Sequence, residues 1–152
     1  MIQYLSCTSP FGMLLMGVEN DMVVSLRLAS KLPPENQPSL FSEIVTLQLQ
    51  EYFCGSRKEF DLPLAPGGSP FQQLVWQELR RIPYGQTRSY TQIASMLGNP
   101  KAARAVGQAA NRNPLWIVIP CHRVVGKNQS LTGYAGGLSL KQSLLELEQR
   151  NT

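Results

Sequence analysis

The stretch "IPCHRVV", residues 119–125, sets Cys121, one of three cysteines, directly before His122, the only histidine in the chain. A cysteine within an apolar run is ordinarily an inert core residue. Here, however, it adjoins the one side chain type that titrates near neutral pH, and a permanent cation, Arg123, follows. A free thiol is only a few per cent ionised at neutral pH, so nucleophilic chemistry requires a base or a positive charge beside it. Each unit of pKa depression corresponds to about 1.4 kcal/mol of preferential thiolate stabilisation, a modest demand on one well-placed group. Neighbouring side chains of an extended segment point to opposite faces, which separates the thiol from the ring. Pro120 biases the chain toward a bend, and a single water bridging sulfur and imidazole would then complete the pair. The second ring nitrogen needs an orienting partner, usually a carboxylate, for which Glu146 and Glu148 are both candidates.

The elements that must hold these groups are read from periodicity and punctuation. Short apolar runs at 2–7, 12–18 and 22–28, divided by "SPFG" and "END", read as a strand meander. "SLFSEIVTLQLQEYFCG" carries a mostly helical period that stops at Gly55, and "EFDLPL" reads as a short strand. "APGGSP" is the most linker-like stretch, dividing an N-terminal α/β subdomain, 1–66, from a C-terminal one, 69–152. Beyond it, Ser69 as N-cap, Pro70 at the first helical position and Pro83 as stop define a helix with Phe71, Leu74, Val75, Leu79 and Ile82 inward. Two short helices follow, near 90–97 and 100–110, broken at Gly98-Asn99-Pro100, and the pair reads as a helix-turn-helix. The second is rich in small residues, which serve either close helix packing or close approach to DNA. "LWIVIP" reads as a buried strand, "GKNQSLTGYAGG" as a turn-rich loop, and "LSLKQSLLELEQ" as a terminal helix with Leu138, Leu140, Leu144, Leu145 and Leu147 inward. The expected class is α/β in the α+β sense: a strand meander with a helix, then a mainly helical part.

Composition narrows the chemistry. The net charge is +4, and the segment from Arg80 to Arg123 holds seven lysines and arginines with no carboxylate. That distribution suits a surface facing phosphates, or simply a solvated basic face. Three widely spaced cysteines with no CxxC pair, and a lone histidine, argue against a disulfide framework and against zinc, so no metal is expected. No apolar stretch is long enough to span a membrane and no secretory signal is visible, so no membrane partner and a cytoplasmic location are expected.

"RAVGQAANRNPLWIVIPCHRVV", followed by "GYAGGLSLKQSLLELE", closely resembles the O6-alkylguanine-DNA alkyltransferase family, whose hallmark is a proline-cysteine-histidine-arginine core. The resemblance runs from about Phe71 to Glu148, while the first 65 residues share only length and strand-helix layout with the family. It implies a protein that takes an alkyl group from O6 of guanine in double-stranded DNA, once per molecule and without a cofactor. By resemblance Cys121 is the acceptor, His122 the base acting through water, Glu148 the carboxylate that orients the imidazole, and Asn113 the brace of the active-site turn. Tyr90 would hydrogen-bond guanine N3, Tyr134 would flank the extruded base, the carbonyls of Cys121 and Val124 would accept from its amino group, and the amide of Ala135 would donate to O6. Arg104 would fill the gap in the stack, with Ser89, Ala105 and Gly107 at a minor-groove interface. Ala135 stands where many members carry serine, and Trp116 where many carry proline. A monomer is expected, with cooperative assembly on DNA left open. Two other readings of the same residues are a recognition protein that binds alkylated bases without transfer and a redox-sensing helix-turn-helix regulator.

Overall fold

Apolar alternation in the first 28 residues is realised as an antiparallel sheet of β1 (Gln3–Ser9), β2 (Gly12–Glu19) and β3 (Met22–Leu28), in the order β1-β2-β3. The register sets Leu5 opposite Met16 and Met16 opposite Leu26, a row of buried side chains across one face. Between β2 and β3 the chain turns through Asn20 and Asp21, whose φ angles are 51° and 55°. Both left-handed conformations belong to a two-residue turn matched to strand twist, and Asn and Asp tolerate them well.

Helix α1 (Leu40–Phe53) starts where Ser39 and Ser42 cap each other: each hydroxyl accepts the other's backbone N–H, which satisfies two otherwise orphaned donors. Its buried face is Val45, Leu49 and Tyr52; Leu40, Ile44 and Leu47, apolar by sequence, face outward. The strand expected at "EFDLPL" does not form. A single parallel bridge joins Leu64 to Val23, with Val23 N donating to Pro63 O and Ala65 N to Val23 O. Pro63 has no N–H to extend a ladder, which confines the pairing to that point.

The computed structural model describes residues 1–152, and the chain divides into two compact units, Met1–Gly67 and Gly68–Thr152. No helix is long and apolar enough to cross a membrane.

In the second unit, α2 (Pro70–Leu79) begins at the expected Ser69 cap, reinforced by Gln72. It buries Val75, Trp76 and Leu79, whereas Phe71 and Leu74 lie at the surface, so the inward stripe is narrower than the sequence period suggested. Helix α3 (Tyr90–Met96) and helix α4 (Ala103–Asn111) form the two-helix motif. Gly98, at φ 81°, makes the left-handed turn between them, and Pro100–Ala102 forms a 3₁₀ turn that delays the second helix to Ala103. Helix α4 buries Val106, Ala109 and Ala110, and the Trp76 indole N–H donates to Ala109 O at 2.9 Å, so part of the small-residue face serves packing.

"LWIVIP" is buried except for half-buried Trp116, but it is not a strand. Val118 N donates to Trp116 O at 2.8 Å and Ile119 N to Leu115 O at 3.0 Å, so the chain winds through consecutive tight turns with Ile117 at φ 75°. A β-branched residue there is strained and persists only where its surroundings over-determine it. After a 3₁₀ turn at Cys121–Arg123, β5 (Val124–Val125) pairs in parallel with β4 (Arg88–Ser89). Helix α5 (Leu138–Arg150) closes the unit, with Leu140, Leu144 and Leu147 inward; Leu138 is 48% exposed, contrary to the expected stripe.

Candidate active site

The tight winding before Cys121 has a local cause in Asn113. Its Nδ2 donates to Leu115 O at 3.2 Å, to Ile119 O at 2.9 Å and to Cys121 Sγ at 3.2 Å, while Oδ1 accepts Leu115 N at 2.9 Å. One buried amide thus supplies the backbone partners a strand would have found in a sheet, and it places a donor on the sulfur.

Cys121 is 4% exposed. Burial pushes its thiol up to about 11, against the opposing pull of Asn113, Lys141 and the Tyr134 hydroxyl. The resting sulfur is therefore protonated at neutral pH, and attack requires a base. Arg123, a candidate for the positive charge beside the sulfur, is turned elsewhere. Its Nε and Nη2 donate to the two oxygens of Glu148 at 2.8 and 3.0 Å, and Nη1 donates to Ile82 O at 2.6 Å. Its guanidinium also lies 5.7 Å from the centre of the Tyr84 ring.

His122 is wholly buried, with Nε2 2.7 Å from Glu148 Oε2. Its Nδ1 is buried without a hydrogen-bond partner in the protein. Burial lowers the imidazole pKa more than Glu148 raises it, and Arg123 and Lys141 lower it further, so the ring rests neutral. Burial alone would raise the Glu148 carboxyl; hydrogen bonds and charge from His122 and Arg123 outweigh it and hold the carboxyl well below the usual range. Gly85 N also donates to Glu148 Oε1 at 3.1 Å. The carboxylate, paired with a guanidinium and two further donors, is the fixed anion of the site. Between the two candidate carboxylates the helical period decides: Glu148 lies on the buried face with Leu144 and Leu147, and Glu146, two residues away, is exposed and bonded to Gln142.

Of the other expected residues, Tyr134 is buried in the loop before α5, its ring 6.2 Å from that of Trp116. Its hydroxyl has no well-aligned hydrogen-bond partner, yet it lies close enough to the sulfur to favour the thiolate. A Cβ on Gly136 would stand 2.9 Å from Tyr134 and 3.1 Å from Trp116, so that glycine lets the loop close on the rings. Tyr90, at the start of α3, donates its hydroxyl to Thr132 O at 2.9 Å in the same loop. Ser89 caps α3 by accepting Gln92 N at 3.1 Å. Gly107 lies against the Tyr90 ring, at 3.5 Å from its ideal Cβ position. Val124 is buried in β5, Ala135 is exposed in the loop, and on α4 Arg104 is exposed and Ala105 half-buried. Sequence reasoning missed Lys141, which is fully buried on α5. Its signal was its place on the inward face, beside Leu140 and two turns before Glu148. No group of three or more His, Cys, Asp or Glu side chains is arranged to hold a metal ion.

Residues 70–150 match the family described as 6-O-methylguanine DNA methyltransferase, DNA binding domain. The chain is 47% identical to the constitutive methylated-DNA–protein-cysteine methyltransferase of Bacillus subtilis, over 96% of this chain and 94% of that protein. It is 46% identical to the methylated-DNA–protein-cysteine methyltransferase of Mycolicibacterium paratuberculosis, over 100% of this chain and 95% of the other. The crystal structure of Mycobacterium tuberculosis O6-methylguanine methyltransferase superposes with a TM-score of 0.90 at 43% identity, covering 100% of this chain and 95% of that one. The Mycobacterium tuberculosis protein OGT in complex with DNA gives the same TM-score of 0.90 at 43% identity, over 98% and 94% of the two chains. With a cysteine-histidine-arginine turn braced by asparagine, and these likenesses along nearly its whole length, the chain belongs to the 6-O-methylguanine DNA methyltransferase family.

Proposed function

We propose that this protein repairs DNA as a methylated-DNA–protein-cysteine methyltransferase, moving an alkyl group, methyl above all, from O6 of guanine to Cys121. One observation carries the reading: the sole histidine, next to Cys121 in the chain, is buried with Nε2 committed to Glu148 and Nδ1 left to take a proton. Neutral His122 draws the proton from Cys121 through one bridging water, and Glu148 stabilises the imidazolium that forms. The sulfur lone pair makes the new S–C bond as the C–O6 bond breaks, and its electron pair passes into the purine. Tyr90, donating to N3, offsets that charge, and the proton given up by sulfur is returned to the base. One thiol and one O6-methylguanine become one thioether and one guanine. Guanine is regenerated as a stable base and the thioether carbon has no comparable leaving group, so each molecule reacts once.

A thiol 4% exposed does not meet a base stacked inside a duplex, so the nucleotide is rotated out at a cost of a few kcal/mol, least for a damaged pair. Arg104, exposed near the start of α4, enters the stack in its place, with Ser89, Ala105 and Gly107 along a minor-groove approach. In the pocket Tyr134 flanks the base, the carbonyls of Cys121 and Val124 accept from its amino group, and the Ala135 amide donates to O6. Binding and transfer both belong to residues 69–152, and the protein acts as a monomer on double-stranded DNA containing O6-alkylguanine. Incubation with a methylated duplex followed by peptide mass analysis tests this. One added methyl group on the Cys121 peptide supports transfer; an unmodified peptide from a bound complex indicates recognition alone, and oxidation alone indicates a redox regulator.

A further inference from the structure

The Pro83–Gln86 turn, closed by Gln86 N donating to Pro83 O at 3.0 Å, leads into β4 and lies against the end of α5. Gly85 commits both backbone groups to that helix: its N–H donates to Glu148 Oε1 at 3.1 Å, and its carbonyl accepts Nε2 of the next residue, Gln149, at 2.7 Å. Consecutive helical side chains diverge by about 100°, so one residue meets both only where its backbone lies across the helix. Gly85 adopts φ 78°, and a Cβ there would overlap the Thr152 side chain, so the approach requires glycine. The same stretch seats the cation beside Glu148: Ile82 O accepts Arg123 Nη1 at 2.6 Å, and the Tyr84 ring centre lies 5.7 Å from the guanidinium carbon. Arg123 in turn grips both oxygens of Glu148, and Oε2 is the hydrogen-bond partner of His122.

We propose that Gln149 and Gly85 are positioning residues of alkyl transfer: Gln149 clamps the turn onto α5, and the turn seats the Arg123–Glu148 pair so that Oε2 stays aligned on His122 Nε2. The consequence for transfer rests on the repair role proposed above; the consequence for the imidazole does not. His122 Nδ1 has no partner in the protein, so the bond from Nε2 to Glu148 is what fixes the ring and its tautomer. The charged groups that face the ring are Arg123, Glu148 and Lys141, with Cys121 adjoining, and of these Glu148 is the one that favours its protonated form. Releasing the clamp has two effects of opposite sign. Losing the Gly85 donor leaves more charge on Glu148, which strengthens its hold on the imidazole proton. Displacing the pair weakens that hold, because a hydrogen bond fades steeply with misalignment. Displacement prevails: Arg123 still supplies the countercharge, whereas Ile82, Tyr84 and Gly85 move with the turn and carry the pair with them.

The test uses isotope-labelled, full-length wild type, Gln149→Met and Gly85→Ala. His122 is the only histidine, so its ring signals are unambiguous in the NMR spectrum without DNA or substrate. At neutral pH the Nε2 proton of wild type, donated across 2.7 Å, should resonate far downfield. In Gln149→Met, which keeps the length of an exposed side chain and removes its donor, that signal should move upfield and exchange faster with water. Transfer from a methylated duplex should slow about fivefold, with affinity for the duplex unchanged. Gly85→Ala should exceed both changes where it folds, and Gln149→Met decides where it does not. A folded Gln149→Met protein whose signal stays in place or moves downfield overturns the proposal, and so does an upfield shift with transfer at the wild-type rate. An upfield shift where wild type itself transfers no methyl group upholds the clamp on His122 while sinking the repair reading.

Discussion

The two units bury their polar groups on different terms. In the first, the buried polar side chains are Ser42 and Gln48, both neutral and both paired: Ser42 closes the helix cap, and Gln48 bonds the amide and carbonyl of Asp61 as a neighbouring strand would. In the second, His122, Arg123, Lys141 and Glu148 are all buried, and His122 Nδ1 and the Tyr134 hydroxyl have no well-aligned partner. Satisfied neutral groups stabilise an apolar core at little risk, whereas clustered charges in low dielectric cost stability unless every partner is present. Their concentration in one buried cluster is the pattern that sites shaped for chemistry show.

The severest way to break that contrast is to remove the sulfur. Cys121→Ala should abolish methyl transfer while retaining the fold and the affinity for methylated duplex; loss of binding in a folded protein would contradict the assignment. Next comes the anion that holds the cluster together. Glu148→Ala leaves Arg123 without its countercharge and His122 without its hydrogen-bond acceptor, and should cost about 3–5 kcal/mol of stability, measured by urea unfolding, with transfer falling in parallel.

The pH dependence of stability sharpens the same point. The Glu148 carboxyl is depressed in the fold, so its contribution is complete above its unfolded value near 4.5 and is lost as the pH falls below that. His122 is also depressed, so the unfolded chain binds its proton first, and stability already declines as the pH drops through 6.5. Wild type should therefore lose melting temperature in two stages on acidification, and Glu148→Ala should lose the lower stage.

Leu49→Ala tests the other side of the comparison. Removing a fully buried side chain from the first unit should cost about 2–5 kcal/mol, seen as an earlier melt, yet change transfer below the transition by less than about twofold. A tenfold loss of transfer would show that the first unit does more than fold. The smallest effect expected on free-base chemistry is that of Arg104→Ala, which should slow repair of duplex while leaving reaction with a free O6-alkylguanine base unchanged. Equal losses on both substrates would remove its proposed part in filling the stack.

Local chemistry alone determined much of this protein: the antiparallel meander, the Ser69-Pro70 helix start, the two short helices around Gly98, and the cysteine-histidine pair whose separation called for a third participant. These follow from interactions within a few residues, such as caps, turn propensities and side-chain period, which a linear reading contains. Tertiary structure decided the rest. It made "LWIVIP" a set of turns, because one asparagine side chain supplied the hydrogen bonds a neighbouring strand would have offered. It chose Glu148 over Glu146, turned Arg123 away from the sulfur, and brought Lys141 to the loop beneath Tyr134. Those outcomes depend on which distant groups share one low-dielectric space, where charges and hydrogen bonds are strong enough to override local preference.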